Sequence, residues 1–258
     1  MSDATSARAT AFSAVAEDYD RGRPEYPADA VAWLVPAASA RVVDLAAGTG
    51  KLTGALVAPS REVVAVEPLA EMLDRLRERL PAVRALEGSA EAIPLPDGWA
   101  DALVVGQAYH WFDPDLALAE IARVLRPRGT LGLVWNTRDE AVPWVAALSA
   151  ILRGRDAEVR APDWAGDVRR AGSFGPLEHR RFRVVQRLGR DDLRAAVRSR
   201  SYVALMDEGE REALLAQVDA LLDDDPALRA DPVLTLPYVT EAFRATRLPE
   251  AAAAGAGR

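Results

Sequence analysis

Asp44, Gly48, Gly50 and Glu67 are the residues of this chain whose types and spacing can do chemistry together. Val42 and Val43 lead into the acidic Asp44, the small residues Ala46 and Ala47 follow Leu45, and Gly48-Thr-Gly50 then opens a helix-like run. A strand, a tight glycine turn and a helix form the arrangement that cradles a nucleoside-bearing ligand. A backbone without Cβ lets the ligand come close, and the start of the helix offers N–H groups. Glu67 stands 19 positions after Gly48, directly behind a second apolar run, Val63-Val-Ala-Val66. An acidic side chain at that place accepts hydrogen bonds from both hydroxyls of a ribose.

Two residues separate this cradle from a dinucleotide site. A pyrophosphate fingerprint carries a third Gly or Ala where the helix crosses the strand, and this chain has Thr53 there. Asp44 would also repel a phosphate placed close to it. It suits a ligand with a positive amine, and S-adenosylmethionine carries an amine, a sulfonium and a ribose diol without a phosphate. An NAD-linked oxidoreductase is the disfavoured alternative.

These residues need strands and helices to hold them, and the chain supplies both in alternation. Strands are expected at Arg41–Leu45, Glu62–Val66, Val83–Leu86, Asp101–Val105 and Thr130–Thr137. Between the second and third, Leu69, Met72, Leu73, Leu76 and Leu80 make a stripe of helical period. Asp113-Pro114 caps a helix with the stripe Leu118, Ile121, Ala122 and Leu125, and Pro127-Arg-Gly129 ends it. Strict alternation argues for a parallel, doubly wound α/β sheet with ligand loops at the C-terminal strand ends. After Asp139 the pattern becomes helical, with helices expected at Val142–Leu152, Asp191–Met206 and Arg211–Leu222, the last behind an Asp207/Glu210 capping box. Phe182–Leu188 and Val233–Tyr238 read as strands added to the same sheet. The expected organisation is lid helices at 1–36, a nucleoside-binding core at 37–138, a helical cap at 139–230 that contributes one core strand, a final core strand and helix at 231–248, and a disordered tail at 249–258.

With 258 residues the chain is long enough for a sizeable core. A net charge of −7 argues against general nucleic-acid or anionic-membrane binding. The absence of cysteine removes thiolate metal sites and cysteine nucleophiles, and no His/Asp/Glu cluster has metal-ligand spacing. No apolar run reaches the roughly 20 residues that span a bilayer, and Met1–Thr10 lacks an apolar signal core. A cytoplasmic protein, monomer or homodimer, is expected.

The chain resembles the class I S-adenosylmethionine-dependent methyltransferases, in particular the bacterial small-molecule group. Val42-Val-Asp-Leu-Ala-Ala-Gly-Thr-Gly50, Val63-Val-Ala-Val-Glu-Pro68 and Gly88-Ser-Ala-Glu-Ala-Ile-Pro-Leu-Pro-Asp97 are similar to its first three motifs. Asp101-Ala-Leu-Val-Val-Gly-Gln-Ala-Tyr-His-Trp-Phe112 resembles its fourth, and Arg123-Val-Leu-Arg-Pro-Arg-Gly129 its turn before strand 5. The segment Gln-Ala-x-His-Trp-Phe, with Arg198-Ser-Arg-Ser-Tyr202 and Leu236-Pro-Tyr238, resembles a subgroup that includes trans-aconitate-type carboxylate methyltransferases. The resemblance implies a Rossmann-like sheet of seven strands, mostly parallel with the last antiparallel, carrying a helical cap. It implies S-adenosylmethionine as cofactor and S-adenosylhomocysteine as product. It places Ala46, Gly48 and Gly50 against the methionine part, Asp44 toward its amine and Glu67 on the ribose. Pro68, Ser89, Ala90 and Glu91 fall around the adenine and Gln107 near the sulfonium. Many relatives have Asp where this chain has Ser89. The segment before the core becomes a lid, with Arg23 near the cofactor carboxylate and Tyr19 near the sulfonium.

Methyl transfer is an in-line displacement, so alignment and exclusion of water are the main tasks, and a base is required only when the nucleophile must lose a proton. His110 is one of two histidines and lies past the fourth strand. It serves either as a base or in shaping the acceptor pocket, with Gln107 and Tyr19 the other groups at the reacting centre. His179 is expected at the surface. Trp111, Phe112, Trp135 and Trp144 suit an apolar acceptor wall or the core, and Arg138, Arg200 and Tyr202 an anionic acceptor or solvent. O-methylation of a small molecule, at carboxylate or hydroxyl, is the leading expectation. N- or C-methylation in secondary metabolism and a non-catalytic S-adenosylmethionine-binding module remain as alternatives.

Overall fold

The computed structural model describes residues 22–153 and 163–249. Residues 1–21 of the expected lid, Tyr19 among them, and residues 250–258 of the expected tail lie outside the described residues. Seven strands form one sheet in the order β3-β2-β1-β4-β5-β7-β6. They are β1 (Arg41–Leu45), β2 (Glu62–Glu67), β3 (Arg84–Glu87), β4 (Ala100–Gly106), β5 (Leu125–Arg138), β6 (Glu178–Leu188) and β7 (Leu234–Thr246). The strands β3, β2, β1, β4 and β5 pair in parallel. The last strand, β7, is antiparallel: Arg128 N–H bonds Arg247 O at 3.0 Å and Asp139 N–H bonds Pro237 O at 2.9 Å, so one strand index rises as the other falls. The order reverses between β1 and β4, which makes the crevice beyond their C-terminal ends the place for a ligand.

The chain divides into two compact units, 28–135 with 162–180 and 241–258, and 1–27 with 136–161 and 181–240. In the first unit the helices are α1 (Ala28–Leu34), α2 (Lys51–Leu56), α3 (Ala70–Arg79), α4 (Pro114–Val124) and α6 (Trp164–Ala171). Its core joins Val43, Leu45, Val64, Val66, Leu103, Val105, Ile121 and Leu133, all buried. β1 and β2 bury every residue after their first, the near-continuous apolar run of a sheet covered on both faces. On α3 the buried residues are Met72, Leu73 and Leu76, the centre of the expected stripe. Asp113 caps α4 by accepting the N–H groups of Asp115 and Leu116.

In the second unit the helices are α5 (Pro143–Arg153), α7 (Arg190–Arg198), α8 (Ser201–Ala204), α9 (Glu208–Asp224) and α10 (Pro226–Ala230). Its separate core gathers Leu148, Leu152, Val197, Val203, Leu215, Val218, Leu222 and Leu236.

Several boundaries move from the sequence expectation. The helix α4 ends at Val124, before Pro127-Arg-Gly129, and β5 starts at Leu125 instead of Thr130 and runs through that turn, because Arg128 and Gly129 bond Arg247 just past the end of β7. The single helix expected at Asp191–Met206 is broken. Ser199 turns its hydroxyl onto Ala196 O at 2.8 Å and Arg200 is extended, so a new helix starts at Ser201. Residues 231–248 carry β7 and no helix among those described, because β7 runs to Thr246, with burial alternating from Leu234 through Ala242. α6 was missed, although Asp163 caps its start and Gly172 ends it in the left-handed region.

Candidate active site

The turn after β1 is held at several points. Ala47 N–H bonds Val66 O at 3.1 Å, and Gly50 N–H bonds Ala47 O at 3.0 Å. Gly50 has a φ of 85°, and a Cβ there would meet Leu76 Cγ at 2.8 Å. Gly50 therefore belongs to the packing of α2 on α3. Gly48, with φ 57°, has nothing within 4 Å of a would-be Cβ. Open space over a glycine is what a ligand lying against the backbone requires.

Glu67, the last residue of β2, is buried at 4% exposure. Its carboxylate accepts Gly48 N–H at 2.8 Å on one oxygen and Leu69 N–H at 3.1 Å on the other. Each oxygen keeps lone-pair capacity, so two hydroxyls can still be received. Burial pushes its carboxyl upward while those two N–H groups pull it back. Asp44 is 1% exposed and accepts the Thr53 hydroxyl at 2.6 Å. Its carboxyl is pushed up to about 7, first by desolvation and then by Glu67, against the hydrogen bond from Thr53. Thr53 thus supports Asp44, a role beyond its departure from the dinucleotide fingerprint.

Ala46 has φ 56° and Gln107 φ 59°, the two ends of β1 and β4 both in the left-handed region. Such strain in residues with a Cβ clusters where backbone must be aimed. Replacing Ala46 by glycine is expected to stabilise the protein by about 0.5–1 kcal/mol, the left-handed cost less the extra entropy of glycine. The melting temperature by calorimetry then rises by about 2 °C, and a fall would contradict the strain. Gln107 N–H bonds Val134 O at 3.0 Å, which fixes the turn after β4.

The loop with Ser89, Ala90 and Glu91 is pinned by a residue that is not among the expected site residues. Arg123 on α4 donates to Ile93 O at 2.9 Å, Leu95 O at 2.8 Å, Asp97 at 2.7 Å and Glu120 at 2.8 Å. These acceptors hold its guanidinium more strongly protonated than usual, and Glu120 below the usual carboxylate range. Ala90 is buried and Ser89 half-buried, while Pro68 is exposed. The Glu91 carboxylate accepts Asp113 N–H at 3.0 Å, joining this loop to the start of α4.

Beyond β4, a short 3-10 turn carries Tyr109, His110 and Trp111. Tyr109 is its anchor: it is 2% exposed and its hydroxyl bonds the buried Asp167 of α6 at 3.2 Å. Burial, then Asp167, raises its phenol far above the ordinary range. His110 has ring centroids 4.4 Å from Trp111 and 5.1 Å, edge-on, from Trp135. Trp111 is 43% exposed. His110, Trp111 and Trp135 thus form one aromatic wall at the ends of β4 and β5, whereas Trp144 joins the core of the second unit. His179 is exposed and stacks on Phe243 at 4.3 Å.

The remaining expected site residues, Arg23, Arg138, Arg200 and Tyr202, all fall in the second unit. Arg138, at the end of β5, donates through Nε to Ser149 of α5 at 2.7 Å. Its pKa is lowered to about 10, first by burial, then by Arg200.

Residues 43–133 match the methyltransferase domain family. An uncharacterised methyltransferase of Mycobacterium tuberculosis is 47% identical over 240 residues, covering 91% of this chain and 95% of that protein. An uncharacterised methyltransferase-like protein of Schizosaccharomyces pombe is 36% identical, covering 92% of this chain and 96% of the relative. Among solved structures, a protein assigned as a type II methyltransferase from Anaeromyxobacter dehalogenans aligns with a TM-score of 0.63 at 27% identity, over 88% of this chain and 99% of that one. The sheet is doubly wound, with a buried acidic residue at the end of β2 and an open glycine turn after β1, and the chain belongs to the class I S-adenosylmethionine-dependent methyltransferases. The residues present fit that cofactor: open space over Gly48, a buried Glu67 carboxylate with spare acceptor capacity, and a second buried carboxyl, Asp44, ready to meet a cation.

Proposed function

We propose that the enzyme transfers the methyl group to oxygen of a small-molecule acceptor, a carboxylate or a hydroxyl. The observation that carries this reading is the wall of His110, Trp111 and Trp135, which offers apolar faces and a single titratable ring. The cofactor supplies a methyl group on a positively charged sulfur. The chain's own residues hold and align. Glu67 takes the ribose hydroxyls, Asp44 faces the amine, the Gly48 backbone lies along the methionine part, and Ser89, Ala90 and Glu91 border the adenine. Gln107 and His110 stand at the reacting centre. The tryptophans exclude water, which strengthens the electrostatics of transfer. A carboxylate acceptor arrives as an anion and needs no base. A hydroxyl acceptor passes its proton to the His110 imidazole as the new bond forms.

The test is turnover with cofactor bearing a ¹³C-methyl group, offered with a panel of small carboxylic acids and phenols. The chemical shift of the transferred carbon distinguishes a methyl on oxygen from one on nitrogen or carbon. An oxygen-bound methyl is expected; a nitrogen- or carbon-bound one overturns the assignment. Cofactor binding without transfer to any acceptor would favour the non-catalytic module.

A further inference from the structure

We infer that Arg23, Arg138 and Arg200, with Tyr202, Tyr238 and Ser149, form an oxyanion-binding subsite that takes the carboxylate or phosphate of a small molecule. All six lie in the second unit. Helix α5 organises it. Ser149, fully buried, accepts Arg138 Nε at 2.7 Å, and Leu152 O accepts the Tyr202 hydroxyl at 2.8 Å. Arg138 and Tyr202 thus both dock on α5, one at the Ser149 side chain and the other at the Leu152 carbonyl within one turn of it. The Arg200 guanidinium lies 5.5 Å from the Tyr202 ring centroid, placed there by the helix break at Ser199. Strand pairing supplies the fourth side: Asp139 N–H bonds Pro237 O at 2.9 Å, and Tyr238 follows at 8% exposure. The Arg23 segment is tied in through Asn136 Nδ2, which donates to Glu25 O at 3.4 Å, two residues before Arg138.

The charges agree with this geometry. After desolvation, the largest influence on Arg138 is repulsion from Arg200, and Arg23 adds to it. The same three guanidiniums pull the buried Tyr238 phenol down against its burial. Gathering like charges in a half-buried place costs free energy, and an anion between them relieves it. The bond to Ser149 uses Nε alone, so the terminal nitrogens of Arg138 keep their donors for the forked recognition that carboxylate and phosphate share.

Calorimetric titration of the whole protein with succinate, with inorganic phosphate and with neutral dimethyl succinate tests the inference. Binding of at least one anion and none of the diester is expected, and the tighter anion identifies the charged group that the subsite takes. Arg138→Leu and Arg200→Leu should each weaken that binding by tenfold or more, with Arg138→Lys intermediate. The melting temperature of each variant reports its folding, and the lysine variant serves where leucine is not tolerated. No anion binding by the wild type, or equal binding by folded leucine variants, overturns the anchor. Since the titration involves no turnover, its failure leaves O-methylation standing. A nitrogen- or carbon-bound methyl in the turnover assay would in turn leave the anchor standing.

Discussion

Replacing Glu67 by alanine is expected to weaken S-adenosylhomocysteine binding by 100-fold or more. The carboxylate joins strand, turn and ligand: it takes Gly48 N–H at 2.8 Å and Leu69 N–H at 3.1 Å and keeps capacity for two ribose hydroxyls. A hydrogen bond to a charged acceptor contributes about 1.5–3 kcal/mol. Two such bonds therefore supply about 3–6 kcal/mol, and each 1.4 kcal/mol is about tenfold in affinity. The variant also loses stability, because two N–H groups in the turn forfeit their acceptor at about 1–3 kcal/mol each. Glu67→Gln separates the two effects. One amide oxygen still accepts, but the amide nitrogen meets an N–H donor, so its affinity should fall between the wild type and alanine. Calorimetry with S-adenosylhomocysteine measures this, and an alanine variant within threefold of the wild type would remove Glu67 from the ribose.

The parts legible in the sequence were those set by local pattern. Strands β1 and β2 read as short valine-rich runs because both sheet faces are covered, and Asp113-Pro114 announced the start of α4. Asp44, Gly48 and Glu67 were legible because a glycine turn and an acidic strand end carry their chemistry in their residue types. What escaped depends on long-range pairing. β5 continues through Pro127-Arg-Gly129 only because Arg247, over a hundred residues later, supplies its partners. Arg123 looked like one arginine among many, and its four acceptors come from a loop roughly 30 residues upstream and from Glu120 on its own helix. Tyr109 likewise gave no signal, since Asp167 belongs to a helix the sequence did not suggest. Arg138 and Tyr202 meet on α5, and no spacing in the sequence shows that Ser149 and Leu152 would receive them.

Asp44→Asn is expected to make the unliganded protein more stable above neutral pH and the liganded one weaker. The folded carboxyl titrates at about 7 against an ordinary value of 3.8, chiefly because burial penalises its charge. Between those values the folded chain holds a proton that the unfolded chain has released, so stability falls as pH rises through the window and levels off above about 7. Each pH unit is worth at most about 1.4 kcal/mol, so the accumulated penalty reaches a few kcal/mol. Asparagine is neutral throughout and can still accept the Thr53 hydroxyl. Its melting temperature should match the wild type near pH 4 and exceed it at pH 8. The ligand reverses the preference, because a positive amine beside Asp44 favours the ionised form. Wild-type affinity for S-adenosylhomocysteine should therefore rise from pH 6 to pH 8 as the cost of ionising Asp44 disappears. In the asparagine variant that rise is lost and affinity at pH 8 drops by about tenfold, the loss of about 1.4 kcal/mol from one buried charge pair. Any pH dependence that persists belongs to Glu67, whose carboxyl is raised in the same direction by its own burial. Denaturation and titration across this range measure both arms. Equal pH 8 affinities for wild type and variant would show that Asp44 does not meet the amine, and equal pH 8 stabilities would show that its carboxyl is ionised at little cost.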